Sequence, residues 1–501
     1  MKVRQLAVAA VMVMTAPAFV QCSSEGTSSA GEPGVVRYGS IAPSSMDPRQ
    51  SGPLSAVFLT NIYDSLIDRT PAGEIGPGLA TEWKFSGDGK TFDLTLREGV
   101  KFQDGEPFDA AAVEANLNAA KAPGASRATE LEAVERVEVV DDLHVRLHLS
   151  RPATQLTGVL AGEAGMMISP KAMDDPNLAT QPVGAGPYKL TKFGQGELVY
   201  TAWDGYWNKD AVKNKKVIFT LNADANTQFR ALQSGQLNLY SVRGGMLDAA
   251  KQDGLEVTSG ETSSVWQLLM NTTNPKLAKP AVRKAIALAL DREGISKAFT
   301  AGLCRPTAQP FGEAVVGHVE DLEAATEQNL DEATRLMGEA GYEDGFEISL
   351  MLSTSSPMQK FATVVQSDLK KIGITVNLDV VDQPQSTARQ RKGQFEIVVS
   401  VNPAGRPDPS AYIATFYGKG GSLNPGFFDE GVEAKLLEAQ ATDVEEERQR
   451  ILGEIVTSVY EIGAPTAPVC NSMLTFVHPD NVTGFEIPVL NDYDFASVTV
   501  Q

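Results

Sequence analysis

The stretch GKTFDLTLREGVKFQDGEPFDAAAVEANL, residues 89–117, is too regular to be an arbitrary loop. In its first half, Phe92, Leu94 and Leu96 alternate with polar residues. Alternation with a period of two is typical of a strand that buries one face and exposes the other. The first half therefore predicts a half-buried strand, and none of its side chains is an obvious catalytic group.

The second half of the same stretch predicts turns and then a helix. Gly99 permits a tight turn, residues 100–102 have the pattern of a short strand, and Asp104-Gly105 is a strong turn dipeptide. Asp109 precedes the apolar run 110–117 and can cap a helix there. The whole stretch thus indicates a folded scaffold of strand, hairpin and helix.

Length and charge limit the class of protein. A chain of 501 residues is expected to form two or three domains. Its formal net charge of −20 argues against a nucleic-acid partner, because phosphate binding requires clustered Lys and Arg. The same charge weakly favours cationic ligands, although its simplest role is to keep the protein soluble.

The N-terminus has the order of a secretory signal. Lys2 and Arg4 give a positively charged start, residues 6–14 form an apolar run, and residues 16–18 follow the end of that run. The apolar run is too short for a stable membrane span. We therefore expect residues 1–21 to be a signal peptide.

Cys22 lies where a bacterial lipoprotein signal places its lipidated cysteine. Residues 22–34 are small, polar and rich in Gly and Ser, which predicts a flexible tether. Gln21 departs from the small residue that usually precedes such a cysteine, so ordinary cleavage nearby is the alternative. We favour lipidation of Cys22, because a lone cysteine in a secreted tail is otherwise hard to explain.

Two further cysteines, Cys304 and Cys470, form an even pair in a chain with an export signal. A disulfide is expected in an oxidising compartment, and its long closed loop would contribute to stability. Two buried free thiols are the alternative, and both interpretations remain open from the sequence.

From residue 346 the chain alternates between two kinds of pattern. Residues 346–352, 374–381 and 395–401 have strand patterns, and the segments between them have helical patterns. This β-α-β-α-β order predicts an α/β layer with a ligand-prone edge at the carboxyl ends of its strands. Elsewhere, helical spacing is present in residues 57–67 and 280–293, and residues 482–500 have a strand-like pattern.

Signatures of catalysis and of cofactors are incomplete. The segment GDGKT at 87–91 has Lys84 where a phosphate-binding loop needs Gly, and GAGPYK at 184–189 lacks the third Gly of a dinucleotide fingerprint. His144 and His148 would lie about 13 Å apart on a strand, too far to share a metal ion. We therefore expect no enzyme, no metal site and no cofactor.

An ordered set of motifs carries a specific resemblance. The markers, spread over residues 61–342, are IYDSLIDRTPAGEIGPGLATEW, DGKTFDLTLREGVKFQDGEPFDAAAVEANL, VGAGPYKL, DGYWNKDA, FRALQSGQLNL, MNTTNPKLAKPAVRKAIALALDREGI and EAGY. Through these markers the chain resembles family 5 extracellular solute-binding proteins of ABC importers, the dipeptide- and oligopeptide-binding group. Ala185 stands where the family commonly has Thr, which is a mild departure.

The resemblance implies an α/β fold of the type II periplasmic-binding-protein kind, with two lobes, a hinge and an additional domain. Lobe I would be discontinuous and contain residues 35–59, 180–266 and 481–501. Residues 60–179 would form the additional domain, and residues 267–480 would form lobe II. The stretch at 89–117 would then build the additional domain, which enlarges the cleft between the lobes.

The resemblance also implies ligand-binding residues. Asp408 follows a predicted strand and can pair with the ammonium group of a peptide, or it can simply cap the helix that begins near Pro409. Arg406 can meet a ligand carboxylate or lie at the surface. Two further sites follow from position in the family: Trp266, which can stack on a ligand side chain or pack against the hinge, and the segment Ser44, Ser45 and Met46.

The expected function is peptide capture by hinge closure and delivery to the transmembrane permease subunits of an ABC importer. We expect a monomer that lies outside the cytoplasm and contacts the membrane only through its lipid anchor. A nickel chelate, haem or an oligosaccharide is an alternative ligand, because one fold can host many ligands. A secreted hydrolase with two carboxylates in the cleft is the alternative of a different class.

Overall fold

The structure is a computed structural model that describes residues 32–52, 55–354, 356–402, 408–442, 444–490 and 492–501. The strands in this part of the chain are β1 (Val35–Ser40), β2 (Ile67–Arg69), β3 (Ile75–Pro77), β4 (Ala80–Phe85), β5 (Thr91–Leu96), β6 (Val134–Asp141), β7 (His144–Leu149), β8 (Tyr188–Phe193), β9 (Glu197–Ala202), β10 (Lys216–Leu221), β11 (Tyr240–Ser241), β12 (Glu256–Met270), β13 (Cys304–Pro306), β14 (Phe346–Ser353), β15 (Ile374–Val381), β16 (Ile397–Asn402), β17 (Thr466–His478), β18 (Val482–Thr483) and β19 (Thr499–Val500).

The α-helices of the same residues are α1 (Ala56–Leu59), α2 (Ala110–Ala120), α3 (Leu156–Leu160), α4 (Ala225–Gln233), α5 (Leu247–Gln252), α6 (Pro280–Ala289), α7 (Arg292–Thr300), α8 (Leu330–Glu339), α9 (Ser356–Lys370), α10 (Gln383–Arg391), α11 (Pro409–Phe416), α12 (Glu430–Ala441) and α13 (Glu445–Ile462). Within the described ranges, no helix combines the length and apolar character needed to cross a membrane.

The additional domain is built on the stretch that opens the sequence analysis. Strand β5 buries Phe92, Leu94 and Leu96 in an antiparallel sheet of order β4-β5-β7-β6. Asp109 caps α2 by accepting a hydrogen bond of 2.9 Å from the backbone amide of Ala112, as predicted. The predicted strand at 100–102 is wrong, because that segment forms only an isolated bridge around the Asp104-Gly105 turn.

Lobe I contains the four-stranded sheet of order β1-β10-β9-β8. Strand β1 pairs with β10 in parallel, with Val35 opposite Lys216 and Ser40 opposite Leu221. The core beneath this sheet also contains aromatic residues from the C-terminal segment, including Tyr493 and Phe495. The chain terminus is therefore part of lobe I, and the carbonyl oxygen of Val500 accepts a hydrogen bond from the amide of Gly34, just before β1.

Lobe II contains the predicted alternation of strands and helices. Strand β14 pairs in parallel with both β15 and β16, and helices α9 and α10 make the connections. Helix α9 buries its apolar stripe, Phe361, Val365 and Leu369, in the core of this lobe. The β-α-β-α-β prediction is confirmed, and Asp408 follows β16 in the sequence.

Two long antiparallel strands, β12 and β17, join the lobes. The end of β17 places Phe476 in the core of lobe I, whereas Leu268 on β12 lies in the core of lobe II. Their pairing register shifts between Glu261 and Val265 and again between Trp266 and Gln267. Because β-bulges bend and locally twist a strand pair, these shifts are where we expect the hinge.

Three element predictions are wrong in extent. In residues 57–67 only the first turn is helical, because the carbonyls of Asn61 and Ile62 instead accept hydrogen bonds from Tyr188 and Gly186. The predicted helix at 280–293 is two helices, since Asp291 caps α7 and ends α6. The C-terminal segment forms only the short strands β18 and β19.

Candidate functional site

A small cavity of about 80 Å³ lies where the two lobes and the additional domain meet. We name it the Asp408 cavity. The additional domain contributes Arg69 and Gly73 to its wall, lobe I contributes Ser263, Val489 and Leu490, and lobe II contributes Phe311, Ala314, Val315, Val316, Asp408, Pro409 and Tyr412. A ligand held in this cavity would contact all three parts of the molecule at once.

Two larger cavities share lining residues with their neighbours. The first, about 240 Å³, lies between lobe I and the additional domain, includes Asp64 and shares Arg69 with the Asp408 cavity. The second, about 200 Å³, lies at the carboxyl ends of β1 and β10 and shares Ala56 and Tyr493 with the first. We name them the Asp64 cavity and the Tyr38 cavity, and we refer to the three cavities together as the crevice.

Asp408 is both a helix cap and a cavity residue. Its Oδ1 accepts hydrogen bonds from the Ser410 amide at 2.8 Å and from the Ser410 hydroxyl at 2.5 Å, which caps α11. Its Oδ2 accepts from a guanidinium nitrogen of Arg448, which is buried on α13. The carboxylate is therefore charge-balanced inside lobe II and still forms part of the cleft wall.

Arg69 on β2 is the cation contributed by the additional domain. Its side chain is only 6% exposed and donates to the carbonyl oxygen of Gly158 at 2.9 Å and to Asp492 at 3.4 Å. Burial lowers the pKa of Arg69, while the charges of Asp492 and Asp408 act in the opposite direction. The guanidinium therefore remains charged and lies between the two acids.

The Asp64 cavity is acidic. Burial raises the pKa of Asp64 to about 7, although the Trp207 indole at 2.5 Å and the Tyr206 hydroxyl at 3.3 Å both donate to it. Burial also raises the pKa values of Asp492 and Asp494. This part of the crevice resists the accumulation of further negative charge and favours a cationic group.

The structure places the other predicted residues away from these cavities. The Trp266 indole donates to the Ser472 hydroxyl at 3.0 Å and its ring meets Phe299 edge to face, so it packs at the hinge. Ser45 and Met46 are buried in lobe I, while Ser44 is exposed beside them. Their ligand contacts remain predictions, as do those of Arg406 and the lipidation of Cys22, since both of these residues lie outside the described ranges.

The two later cysteines are bonded in the structure. Cys304 on β13 and Cys470 on β17 form a disulfide with a Cα–Cα distance of 5.4 Å. The bond fastens a short strand to the long strand that leads into the hinge, and both residues are buried.

Another cavity lies within lobe II and shares no lining residue with the crevice. It has a volume of about 430 Å³ and includes the buried Arg283 and Arg292. Both guanidiniums donate to backbone carbonyl oxygens, which indicates a structural role for them. The exposed His144 pairs with Asp141, and the half-buried His148 pairs with Glu138. The described residues contain no metal-binding group of three or more His, Cys, Asp or Glu.

Arg69 and Ser263 are among the residues of the Asp408 cavity that the sequence analysis missed. Arg69 lies within one of the family-like motifs, but its spacing does not distinguish it from a surface arginine. Ser263 lies on β12 beside the register shift, and its inward direction depends on that irregularity. No sequence pattern signals such a residue, because the strand alternation is broken at this point.

The molecule has an α/β fold with two lobes and an additional domain. Paired strands join the lobes, and the three parts share a cavity. These features define a protein that binds a solute between its lobes. The family model of bacterial extracellular solute-binding proteins, family 5 middle, matches residues 74–424, and the chain belongs to this family. These proteins serve ABC importers, and the fold is that of type II periplasmic binding proteins of the peptide-binder kind.

Individual relatives extend this likeness over most of the chain. The glutathione-binding protein GsiB of Salmonella paratyphi A is 29% identical over 460 residues, which cover 87% of this chain and 88% of the relative. The structure of HbpA2 from Haemophilus parasuis has a TM-score of 0.83 at 24% identity, covering 93% of this chain and 99% of that one. DppA from Helicobacter pylori, solved with the peptide STSA, has a TM-score of 0.76 at 22% identity and coverages of 93% and 98%.

Proposed function

We propose that this chain is a lipid-anchored substrate-binding protein that captures short peptides outside the cytoplasm and delivers them to the permease of an ABC importer. Cys22 carries the anchor, and residues 22–34 tether the folded part to the membrane surface. The lobes close by bending at the β12–β17 crossing, and the ligand holds them closed because it contacts both sides.

The observation that carries this proposal is the Asp408 cavity. It joins a carboxylate on lobe II to a buried guanidinium on the additional domain. A peptide with free ends presents an ammonium group and a carboxylate, so it can be paired at both ends in such a crevice. The glutathione-binding relative, at 29% identity over most of both chains, supports a peptide-like ligand.

The role of Asp408 is tested by Asp408→Asn. The change removes the negative charge that we assign to ammonium recognition, so binding of trialanine should weaken by roughly tenfold to a hundredfold. Binding of N-acetyl-trialanine, which has no ammonium group, should be weak in the wild type and change much less. Isothermal titration calorimetry with both peptides measures the difference.

Asp429→Asn provides a matched control. Asp429 caps α12 with the same backbone angles, φ −140° and ψ 127°, and its side chain accepts from the Val432 amide. It lies outside the crevice, so the variant should lose a cap without losing peptide affinity. Equal losses for the free and acetylated peptides in Asp408→Asn would remove Asp408 from the ligand site.

A second test concerns the class of protein. Native mass spectrometry of gently purified protein should detect a stoichiometric peptide that is released unchanged on unfolding. Turnover of that peptide into products would instead support a hydrolase and overturn the proposed function.

A further inference from the structure

The cavity within lobe II, which shares no lining residue with the crevice, is large enough for a small molecule. Its volume of about 430 Å³ falls within the range of ligand sites, roughly 300–1,000 Å³. Its wall is formed chiefly by α6, α8 and α13, together with the start of β17. We name it the lobe II cavity. A compound bound there would not compete directly with a peptide in the crevice.

Arg283 and Arg292 bring two buried charges into the wall of the lobe II cavity. They are 4% and 3% exposed, respectively. Burial lowers the pKa of each guanidinium to about 10, so both remain charged at neutral pH. Within the described ranges, no carboxylate forms an ion pair with either of them. Of the acids in the same wall, Glu332 pairs with Arg335, and Glu461 is exposed.

Backbone carbonyl oxygens fix both guanidiniums in place but do not neutralise them. The Nε and Nη1 atoms of both residues donate to such oxygens, and Nε of Arg292 donates to Thr307 and Pro468, each at 3.0 Å. In the part of the chain that the structure describes, Nη2 of neither arginine has an acceptor. A buried donor without a partner is unfavourable, so these atoms favour an acceptor that enters the cavity.

The rest of the cavity wall is mainly apolar. Leu288 on α6 and Leu336 on α8 line it, as do Val456 and Val459 on α13. Tyr460, in the same wall, is 37% exposed, which indicates that the cavity opens to solvent there. An apolar wall that includes uncompensated cations matches a ligand with an aliphatic tail and an anionic head.

We propose that the lobe II cavity binds an aliphatic monocarboxylate of medium chain length. The carboxylate accepts hydrogen bonds from the unused donors of Arg283 and Arg292, and the tail covers the apolar wall. A peptide fits this cavity poorly, because its ammonium group would find no buried, unpaired acid there. The site goes beyond peptide capture and does not depend on it.

The test uses octanoate, 1-octanol and acetate as probes of the full chain, measured by calorimetry. Wild type should bind octanoate roughly tenfold or more tightly than 1-octanol, which has the tail without the charge. Acetate, which has the charge without the tail, should show no measurable binding. Saturating trialanine should leave the octanoate affinity unchanged. Arg292→Met should reduce the preference for octanoate over 1-octanol to about twofold or less.

Ala287→Phe tests the cavity without removing a charge. Ala287 is a half-buried residue of α6 in the cavity wall, so the added ring should fill part of the volume and weaken octanoate binding by roughly tenfold. Ala281→Phe is the matched control, because Ala281 is half-buried on the same helix but does not line the cavity. Both variants should keep the trialanine affinity of the wild type.

The wild-type measurements alone can overturn the proposed site, even if Arg292→Met fails to fold. Absence of octanoate binding, or equal affinity for octanoate and 1-octanol, would do so. Displacement of octanoate by trialanine would place octanoate in the crevice and would also overturn it. Octanoate binding without any trialanine binding would instead contradict the proposed function and leave the lobe II site supported.

Discussion

Asp64 shows how a single residue couples the crevice to pH. Its carboxylate lies in the wall of the Asp64 cavity and accepts from Trp207 and Tyr206, but burial raises its pKa to about 7 from an ordinary value of 3.8. In the unfolded chain the group ionises near pH 4, whereas in the folded protein it keeps its proton until near pH 7. The stability that this difference contributes is therefore full below pH 4 and is lost as the pH rises to about 7.

Asp64→Asn should stabilise the protein at pH 8 and have little effect at pH 4, because it removes an ionisation that the fold opposes. The shift from 3.8 to about 7 sets an upper limit, and exposure of the group to the cavity reduces the expected gain to about 1–2 kcal/mol. Thermal unfolding of the wild type and of Asp64→Asn at the two pH values measures this gain in stability.

Asp93→Asn gives the opposite control for this prediction. The nearby Arg146 lowers the pKa of Asp93. Asp93→Asn should therefore destabilise the folded protein slightly at pH 8 and less at pH 4. An effect of Asp64→Asn that does not vary with pH would show that the residue acts through its hydrogen bonds and not through its charge.

Among the elements, β17 has the most varied connections. It pairs with β11, β12 and β13 and carries Cys470. The disulfide to Cys304 closes a loop with a sequence separation of 166 residues. Restricting so long a loop in the unfolded chain is expected to stabilise the protein by about 2–5 kcal/mol.

The double change Cys304→Ala and Cys470→Ala should therefore lower the free energy of unfolding by about 2–5 kcal/mol, measured in urea. Adding a reductant should destabilise the wild type by a similar amount and leave the double variant unchanged. A wild type that unfolds identically with and without reductant, once the thiols are shown to be free, would contradict the prediction.

Elements with regular patterns could be predicted from the sequence, and irregular ones could not. Strand β5 and the alternation from β14 to β16 follow from periodicity, because one face of each is buried. The turn after Leu59 has helical spacing, yet its carbonyl groups pair with residues near Gly186, where a Cβ would lie 2.6 Å from the carbonyl carbon of Ile62. Such a long-range approach leaves no local signal.

The candidate site shows the same division. Asp408 could be predicted because it follows a patterned strand at the edge where α/β proteins bind ligands. Arg69 and Ser263 could not be predicted, since they line the same cavity only because of how the additional domain and the hinge are placed against lobe II. That placement results from contacts between residues that are far apart in the chain.

On the scale of the whole molecule, we expect direct contacts between its parts to contribute to closure. One of them joins the additional domain to lobe II, where both the amide and the hydroxyl of Thr154 donate to the carbonyl oxygen of Gln440, at 3.2 and 2.9 Å. The two residues are 286 positions apart. A contact that exists only while the lobes are closed biases the equilibrium between open and closed forms.

Thr154→Val keeps the backbone bond and removes the hydroxyl donor, so it should shift the protein towards the open form. Loss of one neutral hydrogen bond, about 1 kcal/mol, corresponds to roughly fivefold faster dissociation of trialanine with little change in association rate. Stopped-flow fluorescence measures both rates, and small-angle scattering measures the opening. Thr157→Val, in α3 just after Thr154, should change neither. If Thr154→Val also leaves dissociation and scattering unchanged, the Thr154 hydroxyl does not hold the lobes together, and closure rests on the ligand and the hinge alone.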